Sequence, residues 1–159
     1  MSVLEIHNRL RVPVFFFTLL LAFQMVTGFL LFHLHIGWSQ ESVLQFYKLL
    51  EGDQVPMSFT TFLETAVPHL VSMAMISFLV IHFLTFVAQV SFFWRWTVAL
   101  SLAAFTLIDI FAGLVVIHVS PALWWFKILA FWGFQLSFLL GTVMMFSAFI
   151  PSAQDQLAN

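Results

Sequence analysis

The chain has 159 residues, of which 62% are hydrophobic and only 8% charged, whereas a soluble globular protein carries roughly 25% charged residues. A formal net charge of −2 and the lack of a basic patch exclude a nucleic-acid partner. Because the chain has no cysteine, disulfides, thiolate-held iron–sulfur clusters and c-type haem are also excluded, and a redox cofactor would need histidine, methionine or carboxylate ligands.

Four apolar segments are long enough to cross a bilayer, which requires about 20 residues. They lie at about 12–36, 65–89, 97–119 and 123–149. The connections at 90–96 and 120–122 are very short, so the helices that they join must run antiparallel and side by side. We therefore predict an all-α membrane protein, in which residues 1–159 form a single transmembrane domain with four helices in an up-down-up-down bundle.

The one long connection, residues 37–64, joins the first and second transmembrane helices. Within it, the sequence SQESVLQFYKLLEG predicts a short amphipathic helix at the membrane interface, which begins near Ser39 and ends at Gly52. The following sequence TFLE, Thr61–Glu64, has the pattern of a capping box. This pattern predicts that the second transmembrane helix begins there.

The few basic residues predict how the bundle lies in the membrane. Arg9 and Arg11 precede the first span, and Arg95 lies in the connection between the second and third spans, on the same side. Since Lys and Arg are enriched in cytoplasmic loops, this side is predicted to be cytoplasmic. Lys48 and Lys127 then belong to the outer side. Both termini are predicted to be cytoplasmic, in a bacterial inner membrane.

Two apolar stretches, QMVTGFLLFHLH and DIFAGLVVIHV, share a pattern of polar residue, glycine and histidine. In each, glycine follows the polar residue by four positions and histidine follows it by nine. The members are Gln24, Gly28 and His33 in the first stretch and Asp109, Gly113 and His118 in the second. Both stretches lie in spans that run outward, so the two patterns are expected at matching depths.

The spacing within this pattern divides each helix into two faces. At about 100° per residue, nine positions turn a helix by roughly half a circle, so Gln24 and Gly28 face away from His33. His35 falls on the face of Gln24 and Gly28, opposite to His33. On the first helix, His35 is therefore the alternative to His33 as a ligand of a metal or haem. If the histidines point to the bundle axis, Asp109 points outward, where we expect it to contact a partner subunit.

Histidines from three of the spans are predicted to collect near the outer end of the bundle. They are His33, His35, His69 and His118. Neutral imidazole is a common ligand of iron, copper and zinc, and an ionisable group inside a membrane is a functional hypothesis by default. The first and third spans occupy diagonal corners, so His33 and His118 are predicted to face each other as the axial ligands of one haem b. Gly28 and Gly113 would make room for the porphyrin edge.

Two other interpretations of the histidines remain open. A copper or zinc ion would use His33, His69 and His118 together. Alternatively, a histidine at a helix end simply reaches the lipid headgroups or bonds a carbonyl group, an interpretation that fits His7 and His35 best.

Further polar residues lie at the depth of the bilayer centre. Gln24, Asp109 and Gln135 are predicted there, with His82 somewhat inward. These side chains are candidates for proton transfer or for binding a quinone head group, and the alternative is hydrogen bonding between helices. A second haem at His82 is poorly supported, because its sole candidate partner, His7, lies too far toward the cytoplasm.

Two segments resemble the small b-type cytochromes of the respiratory membrane-anchor kind. EIHNRLRVPVFFFTLLLAFQMVTGFLLF is similar to the opening of that family, and PHLVSMAMISFLVIHFLTF is similar to its histidine-bearing second helix. The resemblance implies a bundle that holds haem b by two histidines, with His33 or His35, His69 and His118 as candidate ligands. The family often has HW early in its first helix, where this chain has VPV, so the resemblance does not extend to an inner haem.

The sequence leads to one functional hypothesis and two alternatives. The leading hypothesis is a haem b electron-transfer subunit that links the quinone pool to a membrane or outer-face redox partner. Such a subunit would be part of an oxidoreductase complex and would not be an enzyme on its own. The alternatives are a histidine-ligated copper or zinc membrane protein, and a non-catalytic membrane anchor or assembly subunit.

Overall fold

A computed structural model describes residues 3–50, 57–87 and 90–147 of the chain, with side chains from residue 12 onward. Within these residues the chain forms five α-helices and no strand. They are α1 (Val3–His35), α2 (Gln40–Phe46), α3 (Phe59–Leu84), α4 (Phe92–His118) and α5 (Trp124–Ser147). A 3-10 turn, Pro121–Leu123, joins α4 to α5.

Four of these helices are long and apolar enough to cross a membrane. The candidate spans are Val12–His35, Phe59–Leu84, Phe92–His118 and Pro121–Ser147. The predicted all-α class with four transmembrane helices and one short interfacial helix is therefore confirmed. The helices α3 and α4 begin before the predicted starts at 65 and 97, because polar and aromatic residues continue each helix beyond its most apolar run.

The interfacial helix α2 begins where the sequence predicted it. The Ser39 hydroxyl accepts a hydrogen bond from the backbone N–H of Ser42, and the Ser39 backbone N–H donates to the Ser42 hydroxyl, both at 3.1 Å. This reciprocal pair is a capping box. The helix ends at Phe46 rather than at the predicted Gly52, which lies outside the described residues, and Lys48 has the left-handed φ of 56° that leads the chain away from the helix.

The predicted capping box at Thr61 is wrong. Ser58 is the N-cap of α3, and its hydroxyl accepts a hydrogen bond of 3.1 Å from the backbone N–H of Thr61. Thr61 is thus the third residue of the helix and supplies a backbone donor. A hydroxyl that lies three positions earlier fulfils the same requirement for a cap.

The helices α4 and α5 form the most extensive contact of the bundle, and α3 packs on both of them. The first helix, α1, packs mainly on α5. We call the end of the bundle that carries the interfacial helix the α2 end, and the opposite end, where α4 begins, the Arg95 end. One core cluster fills the Arg95 end with residues Val14, Leu21, Val80, Leu84, Val98, Leu102, Phe138 and Met145. A second cluster at the α2 end joins α2 to the bundle.

Candidate functional site

A cavity of about 720 Å³ lies at the α2 end, between α1 and α3. The helices α4 and α5 form its back wall, and the end of α2 with the residues that follow it forms its roof. Much of the lining is apolar and includes Met25, Leu31, Phe32, Met73, Phe134 and Phe138. The polar and ionisable side chains that line it include Gln24, His35, Tyr47, His69, Asp109, Lys127 and Gln135. The space is of the size of known ligand pockets, roughly 300–1,000 Å³.

The cavity exists because α1 and α3 pack together at only one end. At the Arg95 end the rings of Phe17 and Phe83 lie 5.1 Å apart, and Val14 of α1 belongs to the same cluster as Leu84 of α3. At the α2 end the facing residues of the two helices line the cavity instead of contacting each other closely. Pro68 is part of this wall and removes one backbone hydrogen bond from α3.

The cavity is closed at its back wall and open on one side. Asp109, Lys127 and Gln135, which come from α4 and α5, are all buried. By contrast, His35 of α1 and His69 of α3 are exposed although they line the cavity. We call the gap between these two helices the side opening, because the exposed side chains of the cavity lining lie on either side of it.

A buried ion pair forms part of the back wall. The Lys127 ammonium group donates one hydrogen bond of 2.8 Å to the Asp109 carboxylate oxygen Oδ1 and a second, also of 2.8 Å, to the Asp109 backbone carbonyl. The outward orientation of Asp109, which suggested a subunit contact, is not observed, because Asp109 is 3% exposed and has its partner in the same chain. Lys127, which the sequence placed at the outer interface, is buried as well.

The structure brings His35 and His69 to the cavity and leaves His33 and His118 outside it. The imidazole Nδ1 of His33 accepts a hydrogen bond of 2.8 Å from the Trp38 indole N–H on the exterior of the bundle. His118 is also exposed and lies beside the ring of Phe59. The predicted arrangement of His33 facing His118 is therefore not formed.

The rotation of the helices explains this outcome. Two positions turn a helix by about 200°, so His33 and His35 point in nearly opposite directions. The face of α1 that carries Gln24, Gly28 and His35 lines the cavity, as the spacing had grouped these residues. On α4 the corresponding face with Asp109 is the buried one, which turns His118 outward.

The two glycines of the sequence pattern have different surroundings. A Cβ atom on Gly28, which lines the cavity, would meet only the Gln135 side-chain nitrogen Nε2, at 3.4 Å. A Cβ atom on Gly113 would lie 2.7 Å from the Tyr47 hydroxyl and 2.7 Å from the Phe62 ring. Gly113 therefore makes room for the roof of the cavity rather than for the edge of a ligand.

Tyr47 and Lys127 are site residues that the sequence analysis did not identify. Tyr47 is buried beneath the interfacial helix, and this burial, together with the negative charge of Asp109, raises the pKa of its phenol well above the ordinary value. No sequence signal marks Tyr47. Lys127 had one, because a lone lysine in the apolar run WWFKILAF needs a partner and Asp109 is the carboxylate at a compatible depth.

The remaining candidates are divided between the two ends of the bundle. Gln24 and Gln135 line the cavity. His82 is exposed near the Arg95 end, where its ring stacks with Phe78 and meets Phe86 edge-on. The side chain of His7 lies outside the described residues. Within the described part of the chain there is no group of three or more His, Asp or Glu side chains that could hold a metal ion.

Comparison with protein families shows what the chain is similar to. A family model described as a transmembrane helical domain matches residues 37–156, which include α2 to α5. The matched region begins after α1. No curated protein and no solved structure matches the chain.

Proposed function

We propose that this chain, which belongs to the Aq_1264_TM family of transmembrane helical domains, is a haem b-binding electron-transfer subunit of a larger membrane oxidoreductase. One observation carries the proposal: His35 and His69, from two different helices, both line one large cavity with mainly apolar walls. Of the histidine pairs that the sequence allowed, this is the pair that shares a cavity. The proposal therefore replaces His33 and His118 by His35 and His69 as the residues that would hold the haem.

The residues of the cavity fit this cofactor. A non-covalently bound haem needs neutral imidazole ligands and a dry, apolar pocket, and the chain has no cysteine for covalent attachment. When bound, the haem supplies a one-electron carrier. His35 and His69 would bind its iron, and the apolar side chains of Phe32 and Met73 would keep water away from it.

The proposed electron route links the quinone pool with a redox partner. The quinone pool is dissolved in the membrane, and the side opening lies within the spans Val12–His35 and Phe59–Leu84. The partner would dock at the α2 end, because the cavity is near that end of the bundle. On this proposal the chain carries electrons, and the substrate chemistry belongs to the partner.

We further propose that the α2 end lies outside a bacterial inner membrane and that both termini are cytoplasmic. Support comes from Arg9, Arg11 and Arg95, which lie toward the same end. Since the chain has no cysteine, single cysteines at Glu41 and Ser91 report the topology without background. Glu41→Cys should react with a membrane-impermeant maleimide in intact cells, and Ser91→Cys only after permeabilisation. The reverse pattern would show the opposite orientation.

The haem proposal is tested by the absorption spectrum of the purified, reduced protein. Wild-type protein should show a sharp α-band without covalent attachment, and His35→Ala and His69→Ala should each abolish it. His33→Ala and His118→Ala are the matched controls and should retain full haem content. Loss of haem in His118→Ala, with retention in His69→Ala, would contradict the ligand assignment. Copper or zinc in place of haem would favour a metal protein, and the absence of all three would favour a membrane anchor.

A further inference from the structure

We propose that the cavity is loaded sideways from the membrane. Its occupant is a membrane-dissolved amphiphile that passes between α1 and α3 and presents a hydroxyl or carboxyl group to the Asp109–Lys127 pair. The inference rests on the proposed function in assigning a ligand to this cavity. It adds the route of entry, the chemical class of the ligand and the residues that recognise its polar end.

The roof of the cavity closes it toward the aqueous side. Val43 and Tyr47, in and just after α2, are 0% and 3% exposed, and they belong to one core cluster with Phe62 of α3 and Val116 of α4. The backbone carbonyl of Tyr47 also accepts a hydrogen bond of 3.1 Å from Met57, which ties the residues before α3 to the roof. Entry from above would require this packing to be broken.

The side opening offers a route that leaves the packing intact. Gln24, Leu31 and His35 on its α1 side are exposed, as are Thr65 and His69 on its α3 side. All five residues line the cavity. They belong to helices that are candidate membrane spans, so the gap between them faces lipid. A molecule that enters here comes from the bilayer and must have an apolar body.

The ion pair defines the polar group that the cavity can recognise. An ammonium group has three N–H donors, and Asp109 takes two of those of Lys127 through its carbonyl and its Oδ1 atom. The second carboxylate oxygen of Asp109 accepts no other hydrogen bond from the described residues. The pair therefore has one donor and one acceptor to offer.

A hydroxyl or a protonated carboxyl group matches this donor and acceptor together. The pair is neutral overall and lies in a region of low dielectric, so a ligand group with a net charge would have no counter-charge there. A quinol hydroxyl and a haem carboxylic acid both satisfy this chemistry. The experiment must therefore use a quinol and a haem as separate probes.

The experiment closes the side opening in the protein before a ligand is added. Leu31 and Thr65 flank the opening, one on each helix. Because the chain has no native cysteine, the double variant Leu31→Cys with Thr65→Cys carries thiols at these two positions only. The ligand-free variant is reconstituted in lipid nanodiscs, and its two thiols are bridged with cleavable bifunctional reagents of graded length. Bridging is verified by mass spectrometry. The control pair Phe17→Cys with Phe83→Cys is bridged at the Arg95 end, where the native rings lie 5.1 Å apart.

Uptake is measured with two probes, haemin by its absorption and a short-chain benzoquinol by the quenching of tryptophan fluorescence. Bridging the opening should slow the uptake of the bound probe by about tenfold or more, which corresponds to about 1.4 kcal/mol of added barrier. Cleavage of the bridge should restore the rate, and the control bridge should not change it. If haemin binds and the bridge slows its uptake, the result supports both the haem function and side entry.

The remaining outcomes separate the two proposals. If only the benzoquinol binds and the bridge slows its uptake, side entry holds and the haem function fails. If a probe binds and the bridged protein takes it up at the unbridged rate, side entry is wrong. If neither probe binds the unbridged protein, the cavity is not a site for such an amphiphile and the inference is overturned.

Discussion

A lysine within a membrane span needs a partner, and Lys127 has one in Asp109. An unpaired Asp or Lys opposes membrane insertion by about 2.5–3.5 kcal/mol at a helix centre and by less toward a helix end, and Asp109 lies well inside α4 whereas Lys127 is in the first turn of α5. Together they form a compact neutral pair between α4 and α5 on the wall of the cavity. The pair thus belongs both to the packing of the two helices and to the site.

The energetic role of the pair can be measured by removing one charge or both. Lys127→Met should lower the free energy of unfolding by about 3–5 kcal/mol, because it leaves the Asp109 carboxylate buried without a counter-charge. The double variant Asp109→Leu with Lys127→Met should regain most of that loss. Lys48→Met removes a charge from an exposed residue and should change stability by less than about 0.5 kcal/mol. A double variant as unstable as the single one would contradict this account.

The two pattern glycines provide a matched comparison. Gly113→Ala should destabilise the protein by about 1–3 kcal/mol, since its Cβ atom would overlap with Tyr47 and Phe62 at 2.7 Å. Gly28→Ala brings its Cβ atom only to 3.4 Å from a flexible side chain and should be neutral or stabilising by up to about 1 kcal/mol. The free energy of unfolding of each variant is measured by denaturation in the same detergent and compared with that of the wild-type protein. Equal effects would show that Gly113 is not closely packed by the roof.

Tyr47 is the one tyrosine of the chain, so its ionisation can be followed by ultraviolet absorption without interference. Its pKa in the folded protein is raised above the ordinary 10.0, first by burial and second by Asp109. The folded state therefore favours the neutral phenol, and this stabilisation is fully present below pH 10 and is lost as the pH rises through the folded pKa. We expect no phenolate signal near pH 10 in folded protein and an ordinary titration after unfolding. Ionisation near pH 10 in both states would show that Tyr47 is not buried.

At the scale of single helices, the local hydrogen-bonding residues position the site. Ser39 begins α2, and α2 places Tyr47 over the cavity. The sequence revealed Ser39 because its pattern of cap and following helix is local. At the start of α3 the pattern TFLE indicated Thr61 as the cap, whereas the hydroxyl of Ser58 is the one used. Which one is used depends on where the preceding chain lies.

The cap of α2 should therefore control the roof. Ser39→Ala removes the acceptor for the Ser42 backbone N–H and should cost about 1 kcal/mol of local stability. Amide hydrogen exchange in Gln40–Phe46 should become faster, whereas exchange in α5 should stay unchanged. Gln45→Ala, at an exposed position of the same helix, is the control. Equal exchange in Ser39→Ala and wild-type protein would contradict the role of the cap.

At the scale of the whole molecule, α1 is set apart from the other three spans. It packs mainly on α5, and the family match begins at residue 37, after α1 ends. Nevertheless it supplies Gln24, Gly28 and His35 to the cavity. A ligand that contacts both His35 and His69 would join α1 to α3 at the end where they are apart.

Binding should then stabilise the assembled bundle. With ligand at about 100 times its Kd, a ligand specific to the folded state adds about 2.7 kcal/mol. We expect haemin to raise the thermal unfolding temperature of wild-type protein and of His33→Ala, and to leave that of His69→Ala unchanged. Hydrogen exchange in the half of α1 nearer the α2 end should slow in the same samples. An equal rise in all three proteins would indicate binding elsewhere.

The sequence predicted the bundle better than it predicted the site. Membrane thickness and short connections determine the number and order of the helices, and both can be counted from apolar runs. The rotation of each helix about its axis depends on packing, and α1 is apolar on every side, so no pattern shows which face is internal. For this reason the spacing correctly separated His33 from His35 but could not select between them. The depth of Asp109 was readable, but Lys127 was assigned to the outer interface, and their contact required the positions of α4 and α5.

The ion pair also has a consequence for how the protein is made. Asp109 precedes Lys127 by 18 residues, so α4 reaches the insertion machinery ahead of the residue that neutralises its carboxylate. Only the 3-10 turn and its flanking residues separate the two helices, so a hairpin of α4 and α5 can form within the insertion machinery. The nascent hairpin would enter the lipid with its charges already neutralised, whereas truncation of the chain before residue 127 would leave Asp109 in α4 without its counter-charge.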